Sequence, residues 1–583
     1  MTRAHWLSLV SFTGLSLHAS LANAACNGSG AAWSCAAGSS GDEVQAALDA
    51  ASDGAVLEFQ AGNYAFGKRI DFANERGVTL ACVTPNACVV DVTSTEAVFY
   101  MDALSGENQK LYRISGFRFR NAPGGSTAIW IYGQGTLRNL RIDHNSFESF
   151  GADSIAILLG ANGPYSTVHG VLDHNSVTGK DNFMFVKVLG PGSPETWPAS
   201  PKGKIDAVYV EDNVVSFDNV QNLGLGCMDI WDSASIVWRH NKTQNCLVTS
   251  HGVVHGGGSV SFELYENELV RTAGSGLAED GYRLFHHQGS GELIAFDNVF
   301  TAVAPLNSDA MGMTHYRSAP PAVAGYDASL GRCDGTNPID GNRAPANEYF
   351  GYPCFRQPGR DGAAALSPMY VWNNRWSSTQ AKIDLTIEDP WNAQSPSVLD
   401  HMVEDRDYYD AVSANAQSSP SNPFDGTKGM GFGTLANRPK TCTTNPDEPG
   451  GGVGYFATDD GPQGKLYRCS ATNTWTLHYE PFQYPHPLVG GAGSGSGGTG
   501  GGSGGSGGGS SGAGGSSTNG GSAGSTAGTG GAKSSANGDD GGCGCETPRS
   551  GADSLYPFGL AALAAGLRHR RRVRRLRAGA ATR

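Results

Sequence analysis

A short phrase recurs through much of this chain. Alternating apolar residues lead to a polar residue and an asparagine, and another apolar segment follows. Successive asparagines are about 24 to 38 residues apart, with one longer gap before the last. Periods in this range indicate a solenoid, and short alternating or β-branched segments between Gly and Asn turns predict a β-solenoid. The repeated asparagines are Asn121, Asn145, Asn175, Asn213, Asn241, Asn267, Asn298 and Asn374.

Asparagine suits such a turn because it tolerates the left-handed backbone conformation and its amide can bond to the asparagine of the next coil. The resulting ladder, with the run GDEVQAALDAASDGAVLEFQAGNY, resembles right-handed parallel β-helices of the pectate-lyase-like superfamily. The N-terminal run is interpreted as a helix from Asp42 to about Ala51, a strand 56–59 and an AGNY turn. The helix is expected to cover the open end of the first coil, where strand edges would otherwise be exposed.

The phrase IDHNSF resembles the IDH segment of calcium-dependent pectate lyases. It recurs as LDHNS thirty residues later. Asp143, His144, Asp173 and His174 are therefore more economically explained as turn residues of successive coils than as a duplicated active site.

Both ends of the chain resemble processing signals. Arg3 and His5 precede an apolar run, and Ala22-Asn23-Ala24 offers a signal peptidase site, so residues 1–24 are predicted to be a signal peptide. A lipoprotein signal at Cys26 is the alternative, but the residues before it fit that signal poorly. Residues 490–542 are rich in Gly and Ser and predict a flexible linker.

The last segment, 543–583, contains Cys543 and Cys545, a short apolar run and the cluster RHRRRVRRLR. This order resembles the sorting tail of myxobacterial surface proteins, in which processing occurs near the cysteines. The alternative is a plain membrane anchor, for which about 13 apolar residues fall short of the roughly 20 that a stable span needs.

The ten cysteines outside the tail fall into near neighbours, which predicts disulfides in an exported chain. The formal net charge of −13 argues against nucleic acid as a partner. An acidic substrate would need local cations or a bound metal. The expected pairs are Cys26/Cys35, Cys82/Cys88, Cys227/Cys246, Cys333/Cys354 and Cys442/Cys469.

Stacking the strands that precede the asparagines separates an inward from an outward set, because side chains alternate along a strand. The outward face carries no charged residue on the first two coils. On the next four coils it carries basic residues, an acidic residue and aromatic residues. His286 is expected to pack inward or at the end of the strand. The residues predicted to face outward are Tyr132, Lys187, Asp229, Trp231, Thr249, His251, Arg283, Phe285 and His287.

This set suits β-elimination from a uronic-acid polymer, which needs a base, cations for the developing enolate and an aromatic platform. Lys187 or His251 is the predicted base, and Arg283 or His287 the carboxylate neutraliser or acid. Trp231, Asp229, Phe285 and Tyr132 are predicted to bind substrate. Asp229 and Asp232 orient these groups or hold Ca²⁺, although two carboxylates are few for a calcium site. For His286 and His287, the alternative is a structural role. One would then lie at a solvent-exposed edge of the strand, and the other would be an interior residue whose hydrogen bonds are made within the protein.

Outside the repeat, residues 302–368 contain Pro, Gly and two cysteines. This composition predicts a stapled excursion, that is, a disulfide-linked loop that leaves one coil and forms a wall of a binding cleft. Tyr316, Arg317 and Tyr326 lie in it. Residues 25–440 are assigned to the solenoid, and 441–489 to a small disulfide-closed hairpin that packs against it. His478 and His486 are expected to be structural.

The sequence therefore predicts an exported, all-β, right-handed parallel β-helix tethered at the cell surface, or secreted after tail processing. Its expected partners are polysaccharide, signal peptidase and the sorting machinery, with membrane contact only through the tail. The leading function is a lyase on an acidic glycan. A non-catalytic glycan-binding or adhesive protein is the main alternative, and a glycoside hydrolase or structural stalk remains open.

Overall fold

The structure is a computed structural model that describes eighteen stretches of the chain. The described residues all belong to the first of two compact units, Met1–Gly502. They are 25–72, 76–101, 105–132, 134–160, 166–180, 183–191, 199–218, 227–251, 258–272, 283–288, 291–302, 310–314, 353–354, 356–361, 365–388, 402–411, 423–445 and 449–490.

Three long sheets, each adding one strand per coil, form the described solenoid. Every strand pair in the second and third sheets is parallel, and the first sheet is parallel except for its opening pair, Cys26–Ser29 with Ala32–Cys35. This pairing confirms the predicted parallel β-helix.

The first sheet contains Cys26–Ser29, Ala32–Cys35, Ala55–Phe59, Val78–Cys82, Ser105–Ser115, Gln134–Asp143, Ser166–Asp173, Val208–Glu211, Ala234–Arg239, Ser259–Tyr265, Glu292–Phe296, Met369–Trp372 and Tyr408–Asp410. The second contains Gly62–Tyr64, Cys88–Asp91, Phe117–Arg120, Ser146–Glu148, Ser176–Gly179, Val214–Phe217, Lys242–Gln244, Glu268–Arg271, Val299–Ala302 and Arg375–Trp376. The third contains Ile70–Phe72, Phe99–Met101, Thr127–Ile131, Ile155–Leu159, Met184–Leu189, Met228–Trp231, Val248–Ser250, Phe285–His287, Met311–Thr314 and Leu385–Glu388.

An asparagine ladder joins successive coils at the turn between the first and second sheets. Each side-chain amide donates to the next asparagine's Oδ1, from Asn145 through to Asn374, at 2.7 to 3.3 Å. Each asparagine's main-chain N–H also donates to the next Oδ1. The predicted ladder is therefore present, and its members are buried.

Two details of the repeat differ from expectation. The left-handed residue of each turn is the one before the ladder asparagine, as at His144 (φ 55°) and Asp297 (φ 54°). Asn121 lies outside the ladder, because it follows a second-sheet strand, and its amide instead donates to Asp91 at 2.9 Å. The sequence phrase FRFRN shares the pattern of the other units but has a different place in the coil.

The N-terminal end of the solenoid carries the predicted helix, Gly41–Ala50. Ser40 and Glu43 form a reciprocal capping box, which satisfies amide groups that the first turn leaves without partners. Val44 and Leu48 are buried in the same apolar core as the first coils. The segment predicted as an AGNY turn instead forms the strand Gly62–Tyr64.

Residues 423–445 and 449–489 pack along the outer face of the first sheet, against strands from Ser166–Asp173 to Tyr408–Asp410. A fourth sheet joins Met430–Gly433, Gly454–Ala457, Lys465–Ala471 and Thr474–Tyr479, with the 3₁₀ turn Leu435–Asn437 beside it. The last two strands are the predicted hairpin, but the first strand of this sheet precedes residue 441. His486 is 1% exposed and its ring lies 4.9 Å from that of Tyr209, in agreement with a structural role.

Four of the five expected disulfides are present among the described residues: Cys26–Cys35, Cys82–Cys88, Cys227–Cys246 and Cys442–Cys469. Cys354 is also disulfide-bonded, and its expected partner, Cys333, lies outside the described residues. Within the predicted excursion, Met311–Thr314 forms a regular strand of the third sheet.

Several predictions concern residues that the structure does not describe. These are the signal peptide, the linker after Gly490, the tail with Cys543 and Cys545, and Tyr316, Arg317 and Tyr326. Within the described stretches, no helix has both the length and the apolar character to cross a bilayer.

Candidate functional site

The outer face of the third sheet aligns one residue from each coil in a column. Strand register pairs Trp130 with Leu158, Leu158 with Lys187, and Lys187 with Asp229. Met228 pairs with Val248, which brings Thr249 beside Asp229. Thr249 pairs with His286 and His286 with Gly312. Successive members are about 4.8 Å apart, the usual distance between hydrogen-bonded strands.

Asp229 is the centre of a compact polar cluster in this column. Its side chain is 8% exposed, and its Oδ2 lies 3.3 Å from His251 Nδ1 and 4.0 Å from Lys187 Nζ. The indole N–H of Trp231 donates to the same oxygen. One hydrogen bond, from Trp231, and two basic side chains, His251 and Lys187, therefore surround one buried carboxylate oxygen.

Trp231 packs these donors together. The Lys187 ammonium lies 4.0 Å from the centroid of the Trp231 ring, within the range of a cation–π contact. The imidazole of His251 lies over the same indole, with ring centroids 3.8 Å apart. His251 keeps 29% of its side chain exposed and Lys187 keeps 18%. Both groups can therefore meet a ligand on the outer face.

The contact between Asp229 and His251 has a chemical consequence. A carboxylate at Nδ1 fixes the orientation of the ring and leaves Nε2 as the nitrogen for a reacting proton. Buried carboxylates orient catalytic histidines in this way in acyl-transfer enzymes. Here the same pair stands beside a lysine and an aromatic platform.

Asp232 adds a second carboxyl group at the turn that follows Trp231. It is 7% exposed and has a left-handed backbone (φ 53°). Burial raises the pKa of Asp232 to about 6, while the charges of Lys187, His251 and Arg356 oppose the rise. A carboxyl group with this pKa can donate a proton near neutral pH.

Arg356 is a member of this environment that sequence reasoning missed. It is 7% exposed, and burial lowers its pKa to about 10 while the charge of Asp232 opposes the fall. It follows Cys354 by two residues, so the predicted stapled excursion reaches the cluster. The available signal was its position beside a cysteine in a segment expected to wall a cleft.

Two residues predicted to face outward point into the solenoid instead. Phe285 and His287 are both 0% exposed, and the ring of Phe285 lies 5.3 Å from that of Phe262 in the core. His287 Nδ1 lies 3.0 Å from Ser250 Oγ, and burial lowers the pKa of His287 to about 3. The prediction of their orientation was wrong, and His286 occupies the outward position.

Arg283 and Tyr132 lie on the predicted face but away from Asp229. The Arg283 side chain crosses Gly312, three strands from Asp229 in one direction. In the other direction, Tyr132 joins Tyr100 and Trp130 in an aromatic cluster, with its ring 5.8 Å from that of Trp130. Of the predicted site residues, the structure brings together Lys187, Asp229, Trp231, His251 and Asp232.

The residues of this cluster do not fit a calcium site. Ca²⁺ takes six to eight oxygen ligands. Asp229 and Asp232 are two carboxyl groups, and Asp229 Oδ2 already accepts the Trp231 indole N–H and lies 3.3 Å from His251 Nδ1. Asp229 Oδ1, which is buried and makes no hydrogen bond, and the Asp232 carboxyl group are too few oxygens for such a site. Across the described stretches, no three His, Cys, Asp or Glu side chains are grouped as metal ligands would be.

The Asp-His pairs of the turns have another role. Asp143 and Asp173 are 0% exposed and pair with Arg113 and Arg141 respectively. The rings of His144 and His174 stack with centroids 5.0 Å apart on successive coils. These residues belong to the scaffold, as expected.

No protein-family model matches the chain, and no curated protein matches it in sequence. The strand pairing is thus what shows the fold, and the candidate site depends on its own geometry.

Proposed function

We propose that this chain is an exported surface protein that acts on polysaccharide, and that the cluster around Asp229 cleaves an acidic glycan by β-elimination. The observation that carries the proposal is the exposed His251, held by the buried Asp229 at 3.3 Å beside the Lys187 ammonium. A base, a cation and an aromatic surface are the groups that this reaction requires.

In the proposed reaction, His251 Nε2 takes the proton from the carbon next to the uronic carboxylate. Lys187 stabilises the charge that develops on that carboxylate, and Trp231 supports the sugar ring. The electron pair of the broken C–H bond forms a carbon–carbon double bond as the glycosidic C–O bond breaks. Asp232, in its protonated form, gives a proton to the departing oxygen.

A second function, glycan binding without cleavage, is favoured by the aromatic cluster farther along the same face. The rings of Tyr100 and Trp130 lie 5.2 Å apart, and the Arg69 guanidinium lies 3.9 Å from the Tyr100 centroid. Trp130 and Tyr132 are partly exposed. An adhesive protein needs such a surface but no base.

Export is supported by the disulfides, which persist in oxidising compartments. Attachment through the tail rests on its resemblance to myxobacterial sorting tails. Cell fractionation, with mass analysis of the mature C-terminus, tests this part: a surface-exposed chain truncated near Cys543 supports it, and a cytosolic full-length chain contradicts it.

The reaction is tested with purified residues 25–489 and a panel of uronic-acid polysaccharides, by the ultraviolet absorbance of the unsaturated product. His251→Ala and Lys187→Ala should abolish the signal. The matched control is His174→Ala, because His174 Nδ1 lies 3.0 Å from Asp173 in a similar pair on a turn. Activity that survives His251→Ala would overturn the assignment, and binding without product would favour the adhesive function.

A further inference from the structure

The coil that carries His251 is joined to the coil that carries Asp229 by a short stretch of sheet. The strand that leads to His251, Val248–Ser250, registers with Met228–Trp231 at one residue pair. In the same sheet, the preceding pair of strands registers four residues and the following pair registers three. The main-chain ladder therefore holds these two coils together less firmly than it holds their neighbours.

A disulfide bond joins the same two coils at this junction. Cys227 immediately precedes the strand of Asp229, and Cys246 lies two residues before the strand that leads to His251. The Cα atoms of the two cysteines are 5.3 Å apart, and both side chains are 0% exposed in the apolar core. The bond is therefore a covalent link between the coil of the carboxylate and the coil of the histidine.

The contact between Asp229 and His251 depends on the spacing of these coils. Asp229 Oδ2 lies 3.3 Å from His251 Nδ1. Side-chain hydrogen bonds are lost beyond about 3.5 Å. A relative shift of about 1 Å would separate the pair, and a misplacement of that size can slow a reaction about a hundredfold. Cys227 and Cys246 are thus positioning residues, which act on a ligand only through the pair that they hold.

We propose that the Cys227–Cys246 disulfide completes the Asp229–His251 pair, so that the site is assembled only after the chain has reached an oxidising compartment. In this maturation step, two cysteine thiols lose two protons and two electrons to form the S–S bond, and a disulfide of the oxidant accepts them to become two thiols. Disulfides persist in oxidising compartments and are rare in the cytosol. The step rests on the proposed function, which supplies the export and the chemistry of the site.

Two pairs of cysteine substitutions in the full chain test this step. Cys227→Ala with Cys246→Ala removes the disulfide at the site. Cys82→Ala with Cys88→Ala is the matched control, because it removes a buried disulfide between strands of the first and second sheets. Circular dichroism checks the fold of each variant. Nitrogen-15 spectra of histidine-labelled protein, in which His251→Gln identifies the His251 signals, report which ring nitrogen carries the proton.

The wild type and the control should show one tautomer of His251, with the proton on Nδ1 facing Asp229. Without the site disulfide, the His251 signals should move to those of free histidine. The kcat for unsaturated product should then fall about a hundredfold, while KM stays within about twofold. A general loss of stability would affect both cysteine pairs alike. Cys227→Val with Cys246→Ala, which fills more of the buried volume, should behave as the alanine pair does.

Oxidation can also be followed in time. The reduced wild-type chain is treated with glutathione disulfide, and the bonds that form are mapped by mass spectrometry. The Nδ1 tautomer of His251 should appear together with the Cys227–Cys246 bond. An unchanged His251 spectrum in the two site variants, or unfolding of both of them, would overturn the maturation step.

These measurements separate the maturation step from the cleavage reaction. A tautomer that depends on the disulfide, in a chain that never forms unsaturated product, would keep the positioning role and remove the lyase. Product formation that depends on His251 but continues at the wild-type rate in the site variants would do the reverse.

Discussion

Removal of one amide from the asparagine ladder should destabilise the solenoid by a measurable amount. Asn241 is the most informative position, because it is 2% exposed and lies in the middle of the ladder. Its Oδ1 accepts from the main-chain and side-chain nitrogens of Asn213, both at 3.0 Å. Its Nδ2 donates to Val210 O at 2.8 Å and to Asn267 Oδ1 at 3.3 Å.

Asn241→Ala removes these bonds at once. The Asn213 side chain keeps two carbonyl partners, Leu172 and Glu211, but the Asn213 main-chain N–H loses its acceptor. A buried donor without a partner costs about 1–3 kcal/mol, and the lost bond to Val210 adds about 1 kcal/mol. We therefore expect the free energy of unfolding to fall by about 2–4 kcal/mol, which urea titration can measure.

Asn121→Gly is the matched control, because Asn121 ends the same sequence phrase but lies outside the ladder. Glycine keeps its left-handed backbone (φ 59°) and removes only an exposed bond to Asp91. Its cost should stay below about 1 kcal/mol. Equal losses for the two variants would show that the ladder contributes no more than an ordinary surface bond, and would refute the reasoning.

Asp232→Asn keeps the left-handed turn and should raise the free energy of unfolding at pH 7. Because the folded pKa of Asp232 is about 6 against an ordinary 3.8, its contribution is fully present below pH 4 and lost as pH rises to about 6. The two proteins should differ in free energy of unfolding by at most about 3 kcal/mol. Denaturation measured as a function of pH should show this loss of stability in the wild type and not in Asp232→Asn. Arg239→Met leaves Glu211 buried without its partner, and should cost about 3–5 kcal/mol and expose residues 480–489 to limited proteolysis. Trp231→Ala should weaken glycan binding about tenfold, with Trp231→Phe recovering part of it by calorimetry.

The architecture was predictable because each coil repeats the same physical requirements. Alternation specified the strands, and the asparagine period located the turns. The capping helix was predicted to begin at Asp42, and it begins one residue earlier, at Gly41. The cysteine pairs near in sequence were also near in space, because each pair lies on one coil or on adjacent strands.

The direction of individual side chains was less predictable. One residue of slippage reverses every side chain of a strand. In FHH both parities offer a large residue to the core, since Phe285 and His287 fill the interior while His286 faces outward. The sequence analysis favoured the direction in which His287 faces outward beside other polar and charged side chains. Only the pairing of His286 with Thr249 and Gly312 resolves the parity.

Contacts between residues far apart in the sequence were also beyond prediction. Arg356 approaches Asp232 across more than a hundred residues, and no local pattern connects them. Gly312 lies within a segment expected to be an irregular excursion, where its strand was not recognised. Arg356 matters to the candidate site because its charge acts on Asp232.

The charged side chains of the first and third sheets have different surroundings, which distinguish a scaffold from a site. On the first sheet, Arg239 is 0% exposed and donates to the carbonyls of Phe482 and Gln483, while Glu211 accepts from the His486 main chain. Those charged groups hold the C-terminal segment in place, and their hydrogen bonds are used for that contact.

On the third sheet, the donors around Asp229 satisfy one carboxylate oxygen and still keep part of their surface exposed. A group that must exchange protons or meet a polymer needs that access. This difference is why we propose the third sheet as the site of the chemistry, although the first sheet carries the larger number of buried ion pairs.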